Sequence, residues 1–360
     1  IKTGSLLNRQ TLVQISHANR LVTVVTPEGI PQQVSVAAEG LKWPHRRAHC
    51  RIAYAPGQNR ITDANEYNLW RGWGVAPKKG DVTPWLTLLD YAFQDDLISR
   101  KWFERWLAYP LQNPGEKLYT AVVLFSLLEG VGKSLIGVTL GRIYGANYAA
   151  ISGGELHGGF NEWGANKQFV LGDDVTGSDR RADADLLKVM ITREKMTVDE
   201  KYQPKYTVAD RINYLFTTNQ PDAFFMSNTD RRYFVHEITA PPLSDKFYKE
   251  YDTWLWSEAG PAALFYKLLE EIDCTGFNPK AAAPETMAKR SMKELSQSDV
   301  DSWAQLLREA PDEILRVDGT PIPRSLWSTT ELLTLYDPLG QRRTSLIALS
   351  KALRRAGFPP

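Results

Sequence analysis

The feature that most constrains this chain is a five-residue apolar run that empties into a glycine loop. Ala121-Val122-Val123-Leu124-Phe125 leads through Ser126-Leu127-Leu128 into Glu129-Gly130-Val131-Gly132-Lys133-Ser134, and a helical pattern follows from Leu135 to Tyr144. An unbroken apolar run rich in valine reads as a strand buried on both faces, as in a parallel sheet. A glycine loop between such a strand and a helix start aims backbone N–H groups and the positive helix end at one point, an arrangement that suits phosphate oxygens. Lys133 is then placed for the β- and γ-phosphates and Ser134 for Mg²⁺, while Gly130, Val131, Gly132 and Leu135 form the cradle. Leu127 stands where the full G-x-x-x-x-G-K-S spacing has glycine, and a glycine turn that only caps a helix is the plainer account of this stretch alone.

Three more strand ends bear on the same point. Gln168 to Leu171 is an apolar run that closes, through Gly172, on the adjacent carboxylates Asp173 and Asp174. Adjacent acids repel, and a divalent cation compensates them; a solvated acidic turn is the alternative. Asp173 follows Ser134 by 39 residues, so the two acids read as a metal holder and a water-polarising base, in either order. Ile212 to Thr217 is followed by Thr218-Asn219, whose amide can bond a γ-phosphate and a water together, although Asn219-Gln220-Pro221-Asp222 also passes for a turn. Asp230-Arg231-Arg232 opens the run Tyr233 to Ile238 and is either surface charge or an arginine finger for a nucleotide on a neighbouring subunit. Short buried strands alternating with helices predict an α/β core around a parallel sheet.

Composition mainly excludes. At 360 residues, 43% apolar and 24% charged, the chain is globular and of two to three domains. With 43 basic against 42 acidic residues, contact with nucleic acid needs local patches. Cys50 and Cys274 cannot build a disulfide framework, and five histidines give no four-ligand zinc spacing, which reads as a reducing, intracellular setting. The most apolar stretch, Leu118 to Leu128, is far short of the roughly 20 residues that cross a bilayer, so no membrane partner is expected. The chain opens at Ile1 with no methionine before Met190, the mark of a piece of a longer polypeptide.

The order Gly-Val-Gly-Lys-Ser, Leu-Gly-Asp-Asp, Thr-Thr-Asn, Asp-Arg-Arg-Tyr-Phe, with 86 residues from Lys133 to Asn219, resembles superfamily 3 helicases of the phage and plasmid primase-helicase type, related to the poxvirus enzymes. The likeness covers about Asn68 to Glu237, including Gly158-Gly159-Phe160-Asn161-Glu162-Trp163. It implies an AAA+-like P-loop NTPase core and a homo-hexameric ring. It further implies ATP and Mg²⁺ at subunit interfaces and single-stranded or forked DNA drawn through the channel, typically 3′ to 5′. The setting implied is the bacterial host cytoplasm during replication of a phage, prophage or plasmid, with room for a primase or polymerase domain upstream. Carried over, Lys133 and Ser134 are Walker A, Asp173 and Asp174 Walker B, Asn219 the sensor, and Arg231 or Arg232 the finger. The family's channel hairpin falls on Thr197 to Val208, where Lys201 and Lys205 would meet phosphates and Tyr202 or Tyr206 would stack; Tyr202 replaces the histidine common there. A solvated hairpin is the alternative.

The domain reading is an N-terminal β-rich region over 1–83, a helical collar over 84–116, the ATPase core over 117–280 and a helical, winged-helix-like module over 285–360. In the first, strands Leu21–Val25 and Gln33–Ala37 flank the turn Thr26-Pro27-Glu28-Gly29; in the second, a helix ends at Pro110. The last helix, Ser345–Ala356, carries Lys351, Arg354 and Arg355 on one face beside Arg342 and Arg343, either a DNA contact or a solvated surface. His45-Arg46-Arg47-Ala48-His49-Cys50-Arg51 lacks further metal ligands nearby and reads as basic surface. Two rival functions stay open: an origin-binding or loading protein that uses ATP as an assembly switch, and a P-loop kinase.

Overall fold

The structure, a computed structural model, describes residues 20–45, 49, 51–156, 158, 161–175, 180–199, 205–296, 299–317, 320–321, 327–342 and 344–358. It divides into two compact units, one built from residues before 54 with 61–68, the other from 54–60 and the chain from 69 onward. In the smaller unit β1 (Leu21–Val25) pairs antiparallel with β2 (Pro31–Ser35). The second strand lies two residues earlier than the expected Gln33–Ala37, because Val36-Ala37-Ala38-Glu39-Gly40-Leu41-Lys42 is taken up by helix α1 (Val36–Lys42). Alanine, glutamate and lysine favour that state over strand. β3 (Ile52–Ala53) and β4 (Tyr67–Asn68) lie parallel, with Arg51 ion-paired to Glu66 beside them.

The larger unit begins with α2 (Thr83–Phe93) and α3 (Leu97–Gln112). Asp96 starts the latter by accepting the Ser99 N–H at 3.0 Å. The expected stop at Pro110 is corrected: the helix runs on to Gln112. Proline forgoes its own main-chain bond, but Pro110 and Leu111 are buried and the Gln112 amide donates to the Leu268 and Ile272 carbonyls at 2.8 Å each. Tertiary contacts hold the last turn in place.

Then comes the sheet. β5 (Ala121–Phe125), β6 (Tyr148–Ser152), β7 (Phe169–Asp173), β10 (Asn213–Thr218) and β11 (Tyr233–Glu237) lie side by side as β11-β5-β10-β7-β6, every pair parallel. A separate antiparallel hairpin, β8 (Lys195–Val198) and β9 (Tyr206–Ala209), stands between β7 and β10 in sequence. Successive residues point to opposite faces of a strand, so the runs split between two cores. Val122, Leu124, Phe169, Leu171, Leu215 and Phe234 face the helical layer of α2, α3, α4 (Lys133–Tyr144), α7 (Asp245–Trp256) and α8 (Ala259–Tyr266). Ala121, Val123, Val170, Tyr214, Phe216, Tyr233 and Val235 face the other core, with Leu187 and Met190 of α6 (Arg180–Thr192), which follows the short α5 (Gly153–Leu156), and Met292 of α9 (Met287–Leu295). A Cβ on Gly137 would lie 2.5 Å from Leu171 Cδ1, so this glycine lets α4 lie close on the sheet.

The C-terminal residues enclose a third, smaller apolar core. α10 (Asp299–Glu309), α11 (Pro311–Ile314), the two-stranded β12 (Arg316–Val317) and β13 (Thr320–Pro321), α12 (Thr329–Tyr336) and α13 (Leu346–Arg355) make up this part, with Ala304, Leu349 and Ala352 at its centre. Among the described residues no helix is long and apolar enough to cross a membrane.

Candidate functional site

In a parallel sheet a crevice opens beyond the strand C-termini where the connections change direction. Here β5 sits between β11 and β10, and the chain leaves it for the far edge strand β6 before working back. The loop from β5 spans the resulting gap. Gly130 and Gly132 take φ of 71° and 85°, left-handed values open chiefly to glycine, and Gly132 caps α4. A Cβ on Gly132 would also crowd Leu88 Cδ1 at 3.1 Å.

The predicted residues meet at this point. Lys133, nearly fully buried, gives its ammonium to Asn219 Oδ1 at 2.5 Å and to the Leu128 carbonyl at 3.4 Å. Burial pulls its pKa below the ordinary lysine value, opposed by Asp174, Asp173 and Glu129. Ser134 Oγ donates to Asp173 Oδ1 at 2.5 Å, and Thr217 Oγ1 donates to the same oxygen at 2.6 Å. Thr217 in turn accepts the Asp174 N–H at 3.0 Å, at a residue held at φ 48°. The Asp174 side chain is exposed on the cleft wall, acts on Lys133 through its charge and accepts no side-chain hydrogen bond among the described residues. Three strand ends, β5, β7 and β10, thus converge on a cleft of about 960 Å³ including its open mouth. It presents backbone N–H groups, one buried ammonium, and a hydroxyl beside a carboxylate, oxygen donors of the hard kind that Mg²⁺ takes.

Two participants escaped the sequence reading. Thr217 reads in sequence as one more buried β-former of the run Ile212 to Thr217, and Tyr248 of α7 lines the cleft from a helix with no motif around it. A third residue, Asn161, gains a role. Its side chain donates to the Thr197 carbonyl at 2.9 Å and accepts the Asp199 N–H at 2.8 Å, bracketing the end of β8 against the turn before β7.

Other predicted residues lie elsewhere. Tyr233 pairs with Ala121 at the start of β5, so Arg231 and Arg232 stand at the opposite end of the sheet from Lys133, roughly 17 Å or one strand away. Arg231 is exposed; Arg232 leans on Asp230 at 3.5 Å, and its Nε is buried without a hydrogen-bond partner. The hairpin is present in the expected place, and Lys205 is exposed at its turn end, just before β9, paired with Asp199 at 2.7 Å. Lys201 and Tyr202 lie outside the described residues, as do Arg46, Arg47, Cys50 and Arg343. In the C-terminal basic patch Arg355 pairs with Asp301 at 2.5 Å and Arg342 covers the Tyr336 ring at 4.6 Å. Below the hairpin, buried Asp210 takes Lys117 and Arg193, each at 2.6 Å. Burial lowers the Lys117 pKa to about 8, against the pull of Asp210.

Comparison with known proteins adds a setting to this geometry. Residues 124–232 match the family described as "Family of unknown function (DUF5906)". Over 157 residues the chain is 27% identical to a protein of Nitratiruptor phage NrS-1 described as a DNA primase-polymerase. That alignment takes in 42% of this chain and 21% of the relative, so the chain spans about a fifth of the relative's length. An apo structure of the NrS-1 C-terminal region superposes with a TM-score of 0.63 at 19% identity, covering 79% of this chain and 72% of that one. An A-form apo structure of the same region gives 0.61 at 18%, covering 85% and 79%. The chain therefore shares the fold of that region.

Proposed function

We propose that this chain is a DNA-dependent ATPase of the superfamily 3 helicase kind, working as a ring in phage or plasmid replication. The observation that carries the reading is the convergence of Lys133, Ser134, Asp173 and Asn219 from three adjacent strand ends on one cleft. The likeness to the C-terminal region of a protein named a DNA primase-polymerase supports a replication setting.

The residues divide the work as their contacts suggest. The Gly130–Ser134 N–H groups and Lys133 hold the phosphates, Lys133 exchanging its bond to Asn219 for phosphate oxygens. Ser134 and Asp173 would hold Mg²⁺, whose charge would offset that of the phosphates. Asp173 is fixed by two hydroxyls and suits that fixed role. Asp174, with its carboxylate open to the cleft, suits the role of base toward water, and Asn219 orients that water. Arg232, or Arg231 beside it, serves the cleft of an adjacent subunit. The hairpin with Lys205, together with Lys201 and Tyr202 from the sequence between its strands, grips single-stranded DNA.

The test is ATP hydrolysis with and without single-stranded DNA, beside assembled mass and strand displacement. Lys133→Ala should abolish hydrolysis, since that ammonium offsets charge on the transferring phosphoryl group. Hydrolysis near the wild-type rate in that variant would overturn the assignment of the loop. DNA-indifferent turnover without strand displacement would instead favour the switch or the kinase.

A further inference from the structure

The cleft has an aromatic wall that no phosphate or metal role uses. Tyr248 reaches it from the first turn of α7, with its ring edge 3.7 Å and its oxygen 4.0 Å from the place a Cβ on Gly132 would take. Among the described residues lining the cleft it is the only aromatic one. The ring is fixed from behind: Phe247 meets it edge-on at 5.6 Å, its oxygen accepts the Leu243 N–H at 3.3 Å, and its own N–H bonds the Ser244 carbonyl at 3.2 Å. Burial raises the phenol pKa, so the group stays neutral. Its O–H hydrogen has no acceptor among the described residues, although the side chain is half-buried.

A triphosphate seated along Gly130–Ser134 leaves one end of the ligand over the loop, and a fixed, uncharged ring beside Gly132 is what a flat heterocycle requires there. Aromatic side chains hold bases by stacking whatever the base. Resting on the reading of the loop as a phosphate cradle, we propose that Tyr248 is the nucleobase wall of the site. The ring stacks on the base, the O–H meets a polar edge of the nucleoside, and the chain thereby prefers nucleoside triphosphate to bare polyphosphate.

Calorimetric titration with Mg·ATP and Mg·tripolyphosphate separates the two halves of the ligand. Wild-type protein should bind ATP at least tenfold more tightly than tripolyphosphate. Tyr248→Ala should lose most of that preference while its tripolyphosphate affinity stays within about twofold, and Tyr248→Phe, which keeps the ring, should retain at least a third of it. Unchanged ATP affinity in Tyr248→Ala, or equal loss for both probes, would overturn the proposal and leave the cradle standing. Wild-type protein that binds neither probe would overturn both.

Discussion

Asp173 Oδ1 receives two hydroxyl hydrogens, from Ser134 and Thr217, and this fixes which of two adjacent acids is immobile. Sequence alone left the pair symmetric, because neighbouring carboxylates at a strand end look alike until their partners are known. Thr217 breaks the symmetry by donating to Asp173 and accepting from the Asp174 main chain. Thr217→Val keeps the shape and removes the donor. It should lower kcat for ATP about 10- to 100-fold, the usual cost of losing a hydrogen bond that orients a metal holder, with KM little changed. Steady-state hydrolysis measures both, and an unaltered kcat would remove Thr217 from the site. Lys133, Ser134 and Asn219 were legible because loop, strand end and spacing each restrict residue type. Tyr248 was not, since proximity through a helix more than 100 residues away leaves no local pattern.

At the level of elements, four of the five sheet strands were legible to within about two residues, and the edge strand β6 was not. Four of the five are continuous apolar runs covered on both faces, whereas Tyr148-Ala149-Ala150-Ile151-Ser152 is alanine-rich, largely half-exposed and follows directly on a helix. The hairpin was visible as strand, turn, strand, but its foundation in Asp210 was not, because a lone aspartate before a strand reads as turn chemistry. Asp210→Asn would leave buried Lys117 and partly buried Arg193 without their counter-charge, a loss of about 3–5 kcal/mol. Denaturant unfolding should show it, and a shift under about 1 kcal/mol would mean that the network relaxes onto other partners. β11 supplies a pH effect as well. His236 stacks on Phe93 at 4.0 Å and contacts the Ala92 carbonyl at 2.8 Å, and burial lowers its pKa from 6.5. The unfolded chain then binds more protons than the folded one just below pH 6.5, so stability should fall as pH drops through that value and level off below the folded pKa. Melts between pH 5 and 8 on wild type and His236→Gln should show a shallower slope in the variant.

For the whole molecule, the decisive distance is the strand length that separates Lys133 from Arg232. A finger on its own chain could not reach the cleft across the sheet, so Arg232→Ala should lower kcat by about 10³ in the assembled protein. Mixing it with Lys133→Ala subunits should restore part of the activity, because some interfaces join an intact lysine to an intact arginine. Mixed assemblies that form and stay inactive would argue for action within one chain. Were the centre shared in this way, a copy that lacks Arg232 would spoil its neighbour's cleft and keep its own, whereas a copy that lacks Lys133 would spoil only its own. In a cell that carries two alleles, one damaged at each end of the sheet, the pair should therefore complement one another in part although neither works alone.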